Sequence, residues 1–400
     1  MRSPWRWRAA LVAALGLLVT ACASSAVTPS GSPTGSAVGP ALHPPRYLPP
    51  QCSNQSELAG WTVAQLAAQL VIVPVEEDQV AQSSPEVVGG AGGLLLYGSS
   101  APANLGQQVR DLDRLAPQVP PFVMTDEEGG GVQRMANLVG AIPWARQMGS
   151  TMTAAQIEIL AKGLGQRLLA AGVTMDLAPV LDVDGGPGPS ATDPDGARAF
   201  SASPSVAAAD GLAFADGLEA AGVVPVVKHF PGLGGSSGNT DDSPAATLPY
   251  ATLLQGGLVP FEQAVSQGVP AVMVSNASVP GLTSAPASIS PQAIEGLLIR
   301  RLGFSGLIMT DSLSAGAITA LHLTVPQAAV RALAAGADMV MFNSSSPRAV
   351  LTGVEQAVQQ AVTRGQLSRS ILLFAADRVL AAKRVDLCLS QAIARPGQSG

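Results

Sequence analysis

Three stretches of the chain set acids beside bases directly after apolar runs. They are Asp126-Glu127-Glu128-Gly129-Gly130-Gly131-Val132-Gln133-Arg134, Lys228-His229-Phe230-Pro231-Gly232 and Thr310-Asp311-Ser312. Carboxylates next to cationic donors can hold polar ligands, move protons or stabilise positive charge developing on a reacting atom. Each residue also has a purely structural reading. Asp311 could cap a helix, Arg134 could pair with Glu128, Lys228 and Asp311 could form a buried ion pair, and the glycines could make a tight turn. Asp182, in Pro179-Val180-Leu181-Asp182-Val183, reads as a residue that fixes a loop. Lys228 at a strand end also leaves open a Schiff base with a carbonyl substrate, as in lyase barrels.

These stretches need a scaffold that brings them to one rim. Eight short apolar runs supply candidate strands: Leu70–Val73, Gly93–Tyr97, Phe122–Thr125, Met175–Leu181, Val223–Val227, Ala271–Ser275, Gly306–Thr310 and Met339–Phe342. Their hydrophobicity is nearly continuous rather than alternating, as expected of parallel strands covered on both faces. Helical stretches separate most of them, including Ala154 to Ala171 between Thr153 and Gly172, and Val325 to Ala335 before Gly336. Two further segments, Ala349–Arg364 and Arg369–Arg384, follow the last run. The expected fold is α/β, a single (β/α)8 TIM-type barrel with extra C-terminal helices. No glycine-rich dinucleotide fingerprint follows a strand, which argues against an open doubly wound sheet. In such a barrel the chemistry lies at the carboxyl ends of the strands, where the three polar stretches fall.

Composition narrows the class. Of 400 residues 47% are hydrophobic and 12% charged, with a net charge of −6, so neither a disordered chain nor a nucleic-acid binder is indicated. Three cysteines and three histidines leave no Cys/His metal cluster, and nothing implies a metal or an organic cofactor. Residues 1–22 read as an export signal: Arg2, Arg6 and Arg8 precede an apolar core from Ala9 to Val19 that is too short to span a bilayer. Val19-Thr20-Ala21-Cys22 resembles a bacterial lipobox, with Cys22 the lipidated mature N-terminus. The expectation is an exported, lipid-anchored protein of a bacterial membrane or envelope, touching the membrane through the lipid only. Residues 23–49 read as a disordered Ser/Pro/Gly/Ala-rich tether, residues 50–389 as the barrel domain, and residues 390–400 as a flexible tail. Cys52 and Cys388, one at each end of the barrel domain, are candidates for a disulfide.

The polar stretches resemble glycoside hydrolase family 3, in particular its single-domain β-N-acetylhexosaminidases. Asp126 to Arg134 matches that group's Asp-x-Glu-Gly-Gly-x-Val-x-Arg segment, and Lys228 to Gly232 its Lys-His-Phe-Pro-Gly. Thr310-Asp311-Ser312-Leu313 matches the context of its nucleophilic aspartate, and Arg198-Ala199-Phe200 its Arg-x-Phe. The resemblance covers about residues 60–385. It implies a retaining exo-glycosidase in which Asp311 attacks the anomeric carbon. Asp126, Arg134, Arg198, Lys228 and His229 would then bind the hydroxyls of a terminal β-linked N-acetylhexosamine, from a small saccharide or a cell-wall fragment. The preference for a 2-acetamido group comes from the resemblance alone, and a β-glucosidase stays open.

The pattern breaks after Lys228-His229. The group reads His-Phe-Pro-Gly-His-Gly and, a few residues on, Asp-Ser-His, whose last histidine is the general acid/base. Here Leu233 replaces the first histidine and Pro244 the catalytic one, while Asp242 keeps the partner position. Proline cannot transfer a proton, so Asp241 and Asp242, on a Gly/Ser-rich loop able to swing over the pocket, are the nearest substitutes. His322 is expected at the surface. Because the chain keeps the family's nucleophile but lacks its usual acid, a catalytically impaired lipoprotein that binds sugar or a partner at the envelope is the alternative. Trp61 and Trp144 are the tryptophans left after the signal, which fits a small pocket better than a long aromatic cleft.

Overall fold

The computed structural model describes residues 53–388. The signal with Cys22, the 23–49 segment, Cys52 and the 390–400 tail lie outside the described residues.

Eight parallel strands form the sheet: β1 (Val71–Glu76), β2 (Gly93–Tyr97), β3 (Phe122–Thr125), β4 (Met175–Asp176), β5 (Val224–Phe230), β6 (Ala271–Val274), β7 (Leu307–Thr310) and β8 (Val340–Met341). They pair in the order β8-β1-β2-β3-β4-β5-β6-β7, and a parallel bridge from Met309 to Met339 joins the two ends. This is a closed (β/α)8 barrel. Every residue of β3, β6 and β7 is buried, which is why those runs carry no polar alternation.

β1 runs three residues beyond its expected end, to Glu76, and two further differences from the sequence reading bear on function. β4 stops at Asp176 rather than running to Leu181. Pro179 has no amide hydrogen for the ladder, so pairing resumes only at a single bridge between Val180 and Lys228. β5 runs on to Phe230, with a register shift after Val227, so Lys228 and His229 lie within the strand rather than beyond it.

The helices begin and end where local chemistry places them. Thr153 accepts a hydrogen bond from the Gln156 amide in a capping box at the start of Ala154–Ala170, and Thr324 does the same for Val325–Ala335. Gly336 closes the latter at φ +107°, where a side chain would be strained. The last two helices span Pro347–Thr363 and Arg369–Ala382. The first starts two residues earlier than expected because proline suits a first helical turn. Cys388 is disulfide-bonded; its expected partner Cys52 is beyond the described segment.

Candidate active site

A cavity of about 960 Å³ opens at the carboxyl ends of the strands, near the upper end of the usual range for ligand sites. Asp126, Glu128, Arg134, Arg198, Lys228, His229, Asp241 and Asp311 all line it. The rim expected from sequence is therefore one site.

Its base is a buried ion network centred on Glu128. Arg198 grips that carboxylate with two parallel bonds, Nε to Oε2 at 2.8 Å and Nη2 to Oε1 at 2.9 Å. Lys228 Nζ lies 2.7 Å from Glu128 Oε1 and 2.6 Å from Asp126 Oδ1. Glu128, read from sequence only as a possible partner for Arg134, is thus the hub. The signal was available: in an extended segment alternate side chains share a face, so Asp126 and Glu128 point together and Glu127 points away. Glu127 indeed turns back to accept the Met135 amide at 2.7 Å. The segment forms a small hairpin, Glu127–Gly129 against Val132–Gln133. At its turn Gly130 adopts φ +59°, and a Cβ there would lie 2.0 Å from the Trp144 ring.

Burial disfavours the charge on Glu128, but the Arg198 and Lys228 cations outweigh it and hold the carboxyl far below the ordinary range. Burial likewise works against charge on Lys228, and Asp126 and Glu128 outweigh it, raising the pKa. A Schiff base needs a neutral amine, so an ammonium pinned by two carboxylates is a poor candidate for that chemistry. Lys228 does not pair with Asp311 either: its ion-pair partners among the described residues are Asp126 and Glu128.

His229 is held by Asp182, as the loop-fixing reading of that aspartate implies. Asp182 accepts from the His229 backbone amide at 2.9 Å, sits 2.6 Å from His229 Nδ1, and accepts the Leu233 amide at 2.6 Å. Burial, with Arg198 adding to it, lowers the imidazole to about 4. The ring is therefore neutral, and its Nδ1 shares one hydrogen with the Asp182 carboxyl, which burial pushes up to about 7.

Asp195, unremarked in the sequence, completes this layer. It is fully buried, with its carboxyl 3.6 Å from Arg198 Nη1 and 4.0 Å from His229 Nδ1. Neither oxygen has a hydrogen-bond partner among the described residues. Burial pushes the group up to about 8, with the charge of Asp182 adding to it. Asp182, Asp195 and His229 lie near enough to surround a cation. The 2.6 Å contact is nevertheless hydrogen-bond spacing, and Arg198 already supplies positive charge, so the geometry fits a shared proton better than a metal.

Asp195 carries a stability prediction. Its carboxyl keeps a proton in the folded chain that it has lost in the unfolded one, so its contribution declines as pH rises toward about 8. Asp195→Asn removes this decline. The difference in Tm, variant minus wild type, is expected to increase steadily between about pH 5.5 and 8.5, as thermal unfolding across that range would show. A flat difference would assign Asp195 an ordinary pKa.

Asp311 follows β7 and accepts the Ser312 amide at 2.7 Å. Burial raises its carboxyl, and the nearby Asp241 charge adds to the effect. Asn276, at the end of β6, does not line the cavity. Fully buried, it donates to the Ser312 carbonyl at 2.7 Å and so braces the Asp311 loop from behind.

The loop after β5 corrects two expectations. All of 241–244 are exposed, but Asp241 lines the cavity, whereas Asp242 and Pro244 do not. Asp242 is therefore not positioned as a catalytic group, and Pro244 does not stand where a proton donor would be needed. Pro244→His is expected to change activity on natural linkages by less than about twofold, measured across a pH series. The loop is also not a free flap, because its backbone is bonded to neighbouring loops at several points. Among these, the Gly235 amide donates to Asp184 Oδ2 at 2.9 Å and the Asn239 amide to the Ala191 carbonyl at 3.0 Å. Leu233 lines the cavity wall, and His322 is exposed away from it.

Residues 62–382 match the glycosyl hydrolase family 3 N-terminal domain. The chain belongs to this family. It is 34% identical over 361 residues to the beta-hexosaminidase LpqI of Mycobacterium tuberculosis, covering 88% of this chain and 91% of that protein. It is 30% identical over 296 residues to a beta-hexosaminidase of Methylococcus capsulatus, covering 72% and 86%. Among solved structures, M. tuberculosis LpqI superposes with a TM-score of 0.75 at 32% identity, over 83% of this chain and 96% of that one. The protein is thus a family 3 O-glycosyl hydrolase.

Proposed function

We propose that this family 3 hydrolase removes terminal β-linked N-acetylhexosamine with retention of configuration, using Asp311 as nucleophile and Asp241 as general acid and base. The observation that carries the reading is the sharing of one cavity by Asp311, Asp241 and the Asp126–Lys228–Glu128–Arg198 network. The names of the relatives support the hexosamine preference. Asp126, Arg134, Arg198, Lys228 and His229 hold the sugar hydroxyls: the cations donate, and the Asp126 carboxylate accepts.

In the first step the Asp311 carboxylate bonds to the anomeric carbon while the bond to the leaving oxygen breaks. That oxygen takes the electron pair and the proton of Asp241. In the second step a water oxygen attacks the same carbon, its proton returns to Asp241, and Asp311 leaves as a carboxylate. Burial raises Asp241 above the ordinary aspartate value, in the direction an acid role needs. Substrates would be small saccharides or cell-wall fragments, met by a protein exported and held at the envelope through lipid on Cys22. Nucleic acid has no place in this reading.

One finding favours a second reading, a sugar-binding protein without turnover: the residue in the family's catalytic-histidine position is Pro244, and it lies outside the cavity. Hydrolysis of 4-methylumbelliferyl N-acetyl-β-glucosaminide separates the two, since that leaving group needs little protonation. Turnover well above that of the corresponding β-glucoside supports the proposal. Saturable binding without turnover would favour the second reading.

A further inference from the structure

We infer that the loop after β7 is the device that holds Asp241 in the cavity, and that Gly316 is its positioning residue. The inference rests on the reading of Asp241 as acid and base given above. Two consecutive amides at the start of a short helix in this connection, Gly316–Thr319, meet two consecutive carbonyls of the loop after β5: Gly316 N–H donates to Asp241 O at 2.8 Å and Ala317 N–H to Thr240 O at 3.0 Å. On its other side the Asp241 amide donates to Asn239 Oδ1 at 3.0 Å. Asp241 is therefore fixed through its backbone at both its amide and its carbonyl, while its side chain faces the cavity.

Gly316 is required here by space and not by conformation. It is not among the glycines with positive φ, so its backbone would suit other residues. A Cβ at this position, however, would lie 2.4 Å from the carbonyl carbon and oxygen of Asp242. Those atoms are backbone and cannot rotate aside. Any side chain at 316 must push the 241–242 segment away from the loop after β7, and the two carbonyl bonds would stretch with it.

Asp311 stands five positions before Gly316 on the same loop. One segment thus bears the nucleophile and sets where the acid can be. In a retaining glycosidase the carboxyl groups must lie about 5–5.5 Å apart, so a small displacement on one side disables proton delivery without touching the nucleophile. The absence of a histidine from the loop after β5 makes this anchoring matter more: a short aspartate has little reach of its own, and its backbone must be in the right place.

The test compares two substrates in the wild type and four variants. N,N′-diacetylchitobiose has a leaving sugar that must be protonated, and the 4-methylumbelliferyl glycoside has one that need not be. Gly316→Ala is expected to lower kcat/KM on the disaccharide by about 10- to 100-fold, and on the fluorogenic substrate by less than about threefold. Asn239→Ala frees the Asp241 amide without adding bulk and should shift the same ratio in the same direction, which keeps the test open if the alanine at 316 impairs folding. In an Asp241→Asn background Gly316→Ala should add no further loss, an outcome that general structural damage would not give. If Asp241→Asn leaves the substrate ratio unchanged, the acid assignment falls. If it changes the ratio while Gly316→Ala and Asn239→Ala do not, the assignment stands and the positioning inference is overturned.

Discussion

Asp311→Asn is expected to abolish turnover of every substrate, including the fluorogenic one, by about 10⁴-fold or more, without unfolding the chain. Asparagine has the same shape and can still accept the Ser312 amide bond that orients the side chain. It has no anion with which to form an ester at the anomeric carbon or to stabilise an oxocarbenium-like centre. Because the loss does not depend on the leaving group, the ratio between the two substrates has no meaning in this variant; both rates vanish together. Initial rates and the thermal midpoint, measured on the same preparation, check it. Activity within tenfold of wild type in a folded Asp311→Asn protein would remove this residue from the mechanism. The wild type adds a second mark. Burial raises the Asp311 carboxyl, so activity is expected to fall on the acid side at a pH above that of an ordinary aspartate.

Asp241→Asn is expected to discriminate between substrates. General acid assistance is worth about 10²–10⁴ in rate, and a sugar leaving group depends on it far more than an umbelliferone does. The disaccharide should therefore lose about that factor in kcat/KM, while the fluorogenic substrate loses only a few-fold. Asp242→Asn should remain within about twofold on both, because Asp242 does not line the cavity. Comparing these neighbouring substitutions controls for any general effect on the loop. Equal losses in both would indicate that the loop matters as a surface and not through one carboxyl.

The scaffold was legible in the sequence to a large extent. All eight strands overlap the apolar runs, though several differ from them in length, because burial on both faces leaves a continuous hydrophobic signature. Thr153 and Thr324 announce their helices through local hydrogen bonding that needs no tertiary information. The site was legible where it lies at strand ends: Asp126, Lys228, His229 and Asp311 all reach the cavity. What stayed hidden depends on long-range placement. Asp195 looks like any loop aspartate until the fold buries it against Arg198, three residues on, and His229, on the next strand. Asp241 is tied by its carbonyl to the amide of Gly316, 75 residues further along the chain. No spacing rule within the loop contains that information. Lys228 and His229 lie within β5 because the bulge after Val227 lets pairing continue, a feature that hydrophobicity does not encode.

The ion network under the cavity has a further consequence, concerning the solution around the protein. The side chains of Glu128 and Lys228 are each only 3% exposed, and that of Arg198 16%. Dissolved counterions act on charges they can approach, within a screening length of about 8 Å at physiological ionic strength. They can weaken exposed pairs such as Arg114–Asp111 and Arg300–Glu295, but they have little access to this one. The donors facing the sugar are thus set against their own internal counter-charge. Their orientation should be nearly the same in dilute buffer and in brine, and a neutral glycan should bind with an affinity almost indifferent to salt.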